Sequence, residues 1–188
     1  YKVVYPGCDS FTEFDNAEEM INNSASLLEE KGLGNCKIND VLGAEDASGN
    51  IEGYIVAATS SAGYGGDVEI AIGIKDGKIT GFSSIKNSET AGLGAKCSEP
   101  EFTDQFAGKA ASMLTYTKTG ASSDTEIDAI SGATITTNAV TQAVNAAIIF
   151  YQENFAGGAQ DVAKPDLTEY YPVSYTHLRA HETLSDLV

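Results

Sequence analysis

Ser131-Gly132-Ala133-Thr134-Ile135-Thr136 sets three hydroxyls and two small residues just ahead of a long run of helical spacing. The start of a helix presents unpaired amides and the positive end of the macrodipole, together worth roughly 0.3–2 kcal/mol to an anion. The chemistry this favours is phosphate binding, and a hydroxyl at that spot has the means to carry the phosphate as an ester. The same residues also suit a plain helix lead-in, with Thr136 or Thr137 as the cap and Gly132 relaxing the turn.

A second stretch has chemical content. In Ser88-Glu89-Thr90-Ala91-Gly92-Leu93-Gly94 the two glycines permit close approach by a ligand, Thr90 offers a hydroxyl donor and Leu93 an apolar face. Glu89 reads equally as a solvated loop carboxylate or as a ligand contact. A Gly-x-Gly alone is a weak signal, and Gly65-Gly66 reads as a turn or bulge entering a strand. Neither glycine pair opens a helix as Gly-x-Gly-x-x-Gly, so a Rossmann site is unsupported.

The elements that must position these residues follow from periodicity. Asn16 to Lys31 has apolar residues at helical spacing, with Asp15 as the expected N-cap and Gly32 as the stop. Cys36–Ala44 and Ile51–Ala58 read as a hairpin around the turn 46–50. Val68–Ile74 and the run from Lys78 to Phe82 and onward form a second hairpin around Asp76-Gly77. Short elements follow: a helix at Glu101–Phe106 and strands at Met113–Lys118 and Asp128–Ile130. The final helix is expected from about Thr137 to Phe155, with Val140, Ala143, Val144, Ala147, Ile148 and Tyr151 on one packed face. The fold class is α+β, an antiparallel sheet meander packed by an N-terminal and a C-terminal helix.

Length and composition suit one domain, read as residues 1–172. Both histidines, His177 and His181, and the one arginine, Arg179, fall within 173–188, which reads as a non-native tail. Without it the chain carries ten lysines against twenty-five carboxylates, so nucleic acid is not an expected partner. A body without His or Arg has few means of acid–base catalysis at neutral pH, so no catalytic residue is assigned and the chemistry falls to carboxylates or a cofactor. Cys8, Cys36 and Cys97 are far apart with no histidine partner, which argues against a metal site and for buried thiols. No apolar run approaches the roughly 20 residues that span a bilayer, and Tyr1–Tyr5 is not a signal peptide.

Two motifs together carry a family resemblance. Asp128 to Thr137 resembles the flavinylation sequence of the FMN-binding domain found in the G subunit of Rnf electron-transport complexes and the C subunit of sodium-translocating NADH:quinone reductases. Glu89 to Gly94 resembles that family's Glu-Thr-Pro-Gly-Leu-Gly loop, with Ala91 in place of Pro; Phe102 stands where Trp is common. Gly63-Tyr64-Gly65-Gly66-Asp67 is similar too, so the likeness runs over about 41–155. It implies FMN joined covalently through a threonine phosphoester, at Thr136 with Thr134 as second choice. The pocket would comprise Ser131, Gly132, Ala133, Ile135 and Thr137, with Glu89, Thr90, Gly92, Leu93 and Gly94 against the flavin. Read from the helix, a phosphate on Thr136 would meet the amides of Thr137 to Val140.

The resemblance further implies an electron carrier at the periplasmic or extracellular face of a membrane, held by a segment missing from this chain. Its partners would be the other subunits of a membrane redox complex and, transiently, a flavin transferase. Two alternatives stay open: a free-standing secreted FMN domain serving an extracellular reductase, and a non-redox surface binding module.

Overall fold

Four runs of alternating apolar residues make the centre of the sheet, and two turns set their register. In a computed structural model that describes residues 1–157, the strands are β1 (Ser10–Glu13), β2 (Cys36–Glu45), β3 (Ile51–Ser60), β4 (Val68–Lys75) and β5 (Lys78–Lys86), antiparallel and in that order. Asp76 and Gly77 both have positive φ (49° and 71°), the conformation a two-residue hairpin turn needs to match strand twist. The 46–50 turn is held by Asp46 Oδ1, which accepts from the Ser48 amide at 2.8 Å and the Asn50 amide at 2.9 Å.

Both faces of the sheet are covered. Val41, Val56, Ala58, Ile70, Ile72 and Ile74 face helices α1 (Ala17–Glu30) and α3 (Thr134–Asn154) in the main core. Each such Val or Ile side chain, fully buried, contributes about 1.5–3 kcal/mol. Leu42, Ala44, Ile55, Ala57 and Ala71 lie in a second cluster, under Val4, Tyr5 and Cys8. The N-terminal segment comes so close that a Cβ at Gly81 would stand 2.8 Å from the Val4 carbonyl oxygen and one at Gly53 would meet the Tyr5 ring.

Helix α3 is buried nearly all round. Every residue from Ala139 to Tyr151 is shielded, which fits a helix of mostly small and apolar residues set between layers rather than one lying on a surface. The single packed face expected from the sequence is therefore too narrow a description. The helix also begins at Thr134, three residues earlier than expected, because Thr137 does not cap it. Its hydroxyl donates back to Ala133 O at 3.0 Å and accepts from the Ile130 amide at 3.0 Å, inside the first turn.

The remaining expectations shift by smaller amounts. Helix α1 begins at Ala17 with Asn16 at the N-cap and no side-chain cap bond, so Asp15 is not its cap. Helix α2 (Pro100–Thr103) is one turn long; its Phe102 meets Phe82 and Phe106 edge-on, and those two stack at 4.3 Å. β6 (Thr115–Thr117) and β7 (Glu126–Asp128) pair in parallel as a separate ribbon, outside the meander. β1 has no counterpart among the expected strands. Among the described residues no helix is long and apolar enough to cross a membrane, and no group of three His, Cys, Asp or Glu is placed to hold a metal. The expected domain end at residue 172 and the tail 173–188 lie outside the described residues.

All three cysteines are free and buried. Burial pushes the Cys36 thiol up to about 12 and raises that of Cys97, which removes the reactive thiolate at ordinary pH. Iodoacetamide at neutral pH is expected to leave Cys36 and Cys97 unlabelled in the native protein and to label both once denaturant is added. Mass spectrometry of the digested protein reads the result, and rapid native labelling of Cys36 would contradict the burial.

Candidate functional site

The β3–β4 connection and the segment leaving β5 emerge at the same end of the sheet, because Ser60 pairs with Val68 and Glu69 with Lys86. The N-terminus of α3 arrives at that end as well. Glu89 joins all three. Its carboxylate is buried, with Oε1 accepting from the Gly65 amide at 2.9 Å and Oε2 accepting the hydroxyl proton of Thr136. The solvated reading of Glu89 is overturned: a buried carboxylate needs donors, and these two supply them.

The carboxylate is positioned from its own side of the sheet too. The Glu89 amide donates to Asn87 Oδ1 at 3.2 Å, and Asn87 Nδ2 donates to Ser84 Oγ at 3.1 Å and Ser98 Oγ at 3.0 Å. Beyond it, Thr90 O accepts from the amides of Leu93 and Ala95, each at 3.1 Å, which closes a tight turn of exposed residues 90–93. Gly94 then passes directly over the Thr136 hydroxyl. A Cβ there would overlap Thr136 Oγ1 and come within 2.5 Å of Glu89 Oε2. Gly92 has φ of 74°, the left-handed conformation that favours glycine in such a turn.

The hexapeptide divides by exposure. Ser131, Gly132 and Ile135 are exposed, Thr134 is half-buried, and Ala133, Thr136 and Thr137 are buried. Gly132 sits at φ 76° and faces Leu93, whose Cδ2 would be 3.4 Å from a Cβ at that position. The two sequence motifs are thus brought together at three points: Leu93 with Gly132, Gly94 with Thr136, and Glu89 with Thr136. Thr137 is turned away, its hydroxyl spent inside the helix as described above.

The first helical bond runs from Thr137 N to Ala133 O at 3.0 Å. The amides outside the ladder are therefore those of Thr134, Ile135 and Thr136, and not those of Thr137 to Val140 that a later helix start implies. An anion here meets three free amides and the positive helix end.

Gly63 to Gly66 belongs to the site, which the turn-or-bulge reading of Gly65-Gly66 does not capture. A Cβ on Gly65 would overlap the Ser88 carbonyl, and one on Gly63 would stand 2.7 Å from Glu89 Oε1. Tyr64 between them is 70% exposed, as Leu93 is at 47% and Ile135 at 52%. One large hydrophobic side chain thus stands exposed on each of the three segments that Glu89 ties together.

The close approach at Gly94 has a measurable cost. A Gly94→Ala chain is expected to lose about 1–3 kcal/mol of stability, through overpacking against Thr136 and Glu89. Urea denaturation measures it, and an unchanged midpoint would rule out the approach.

The chain is similar to known proteins over the part that carries this site. The FMN-binding domain family matches residues 63–149, from the Gly63 loop through most of α3. The G subunit of the Na(+)-translocating ferredoxin:NAD(+) oxidoreductase complex of Acetobacterium woodii is 44% identical over 109 residues, covering 56% of this chain and 52% of that protein. The G subunit of the proton-translocating ferredoxin:NAD(+) oxidoreductase complex of Clostridium ljungdahlii is 40% identical over 117 residues, covering 60% and 63%. The chain thus spans between about half and two thirds of the length of these relatives. Among solved structures, the C subunit of the Na(+)-translocating NADH-quinone reductase of Parabacteroides distasonis shares 30% identity at a TM-score of 0.50, covering 59% of each chain. NqrC of Shewanella oneidensis, at 22% identity and a TM-score of 0.51 over 60% of this chain and 57% of that one, shares the fold. Residues 63–149 of this chain match the FMN-binding domain family.

Proposed function

We propose that the chain carries FMN through a phosphoester on Thr136 and relays electrons as the flavin subunit of an ion-translocating oxidoreductase at the outer face of a membrane. The observation that supports this most is the Thr136 hydroxyl, held by a carboxylate at the N-terminus of α3 in a sequence that matches the flavinylation motif. The free amides of Thr134 to Thr136 would hold the phosphate, and Tyr64, Leu93 and Ile135 would offer apolar contact to the ring system. When bound, the isoalloxazine supplies the one-electron redox chemistry, while the protein tethers and orients it.

A covalent tether suits a carrier facing a dilute exterior, because loss by dissociation is abolished. Membership of a complex is supported by the names of the relatives, which are complex subunits. The outer-face location and attachment by a transferase using flavin adenine dinucleotide follow from the motif resemblance.

Incubation with a flavin transferase and flavin adenine dinucleotide is expected to add the mass of one FMN less one water, and to confer the visible flavin absorption that survives denaturation. Thr136→Ala is expected to stay colourless and unshifted. Labelling of that variant at Thr134 would move the tether, and no labelling of the unaltered chain would favour the non-redox binding module.

A further inference from the structure

We infer that Glu89 is the base that takes the proton from Thr136 during flavin attachment, so that this protein supplies part of the catalysis of its own modification. The inference rests on the covalent reading above. A threonine hydroxyl is a weak nucleophile at its free pKa and needs a neighbouring base. Glu89 Oε2 already accepts the proton of the one hydroxyl that the motif marks for modification. Among the described residues there is no histidine or arginine, so carboxylates are the available bases at this site.

The carboxylate is placed for this use. Its other oxygen is held by the Gly65 amide, its backbone by Asn87, and Asn87 in turn by Ser84 and Ser98, so Oε2 is fixed toward Thr136 by bonds to two other segments. Thr134, the second hydroxyl of the motif, is not given a carboxylate contact of this kind, which accounts for selection of Thr136. The hydroxyl is buried, with Thr136 only 1% exposed, so attack requires the exposed turn 90–93 and Gly94 to move aside.

The step balances without any redox change. Thr136 Oγ1 forms a bond to the flavin-side phosphorus of flavin adenine dinucleotide as the pyrophosphate P–O bond breaks. Adenylate leaves, and the Thr136 proton passes to Glu89 Oε2. Phosphoryl transfer to hydroxyls commonly uses a carboxylate in this position.

The test is the rate of mass increase of the full chain with a flavin transferase and flavin adenine dinucleotide. Glu89→Gln, close in shape but unable to take the proton, is expected to label about 10²–10⁴-fold more slowly than the unaltered chain, the usual worth of a positioned base. Glu89→Ala is expected to be equally slow and to regain labelling when formate is added, while formate leaves the unaltered chain unaffected. Folding of both variants is checked by circular dichroism, and Gln retains acceptor capacity for Gly65 if Ala does not fold. Labelling of Glu89→Gln at the unaltered rate would overturn the role and assign the base to the transferase. Slow labelling of a folded Glu89→Ala that formate leaves unchanged would reduce Glu89 to a positioning residue and equally overturn it. Failure of the unaltered chain to label would instead strike the covalent reading itself.

Discussion

A carboxylate removed from water must be given hydrogen-bond donors, or its burial costs several kcal/mol. Glu89 finds its donors on two segments far from it in sequence, the Gly65 amide 24 residues before and the Thr136 hydroxyl 47 residues after. One side chain therefore fixes the relative positions of the β3–β4 loop, the turn after β5 and the start of α3. The donors are neutral, and the positive end of α3 adds to them, since Thr136 lies in the first helical turn where acidic groups are favoured. The glycines around this bond answer to the same constraint. Gly63, Gly65 and Gly94 lack room for a Cβ because backbone and side chains crowd onto the carboxylate from all sides.

The larger fold keeps that constraint satisfied. A helix packed on one face could rock and carry Thr136 away from Glu89, whereas α3 is enclosed from Ala139 to Tyr151 and has little freedom to do so. The sheet beneath it is likewise fixed from both sides, by the main core and by the N-terminal segment over Gly53 and Gly81. Phe102 against Phe82 and Phe106 ties the segment after Gly94 back to β5. The turn between, residues 90–93, is largely exposed, so rigidity ends where access to Thr136 would be needed.

What can be read from the chain is what depends on local pattern. The strands β2 to β5 and the helices α1 and α3 follow from periodicity and from the Asp76-Gly77 turn, and the hexapeptide from its small residues and hydroxyls. What cannot be read depends on long-range contact. Ser10 to Glu13 has no apolar alternation, and becomes a strand only because β2 offers an open edge for it to pair with. The start of α3 is misplaced by sequence because Thr136 and Thr137 look like caps, while the helix uses no side-chain cap and buries both. Glu89 beside two glycines resembles any solvated loop acid; only the Gly65 amide and Thr136, both distant in sequence, make it an interior group. Tyr64 is legible as part of a glycine-rich loop but not as exposed apolar surface, since nothing local predicts that no side chain covers it.

The same bond sets a condition on any anion at Thr136. The chain is already acidic, with a formal charge of −16, so a phosphate there is opposed by the overall field and depends on the free amides of Thr134 to Thr136. On the covalent reading proposed above, an esterified Thr136 Oγ1 would have no proton to give, and Glu89 Oε2 would lose its donor beside a second anion. Two like charges on a shared set of donors are not both tolerated in a buried place. A carboxylate that swings out of this place would free the Gly65 amide to donate to the phosphate instead. On that reading the loops that Glu89 ties together before modification would be tied through the phosphate after it.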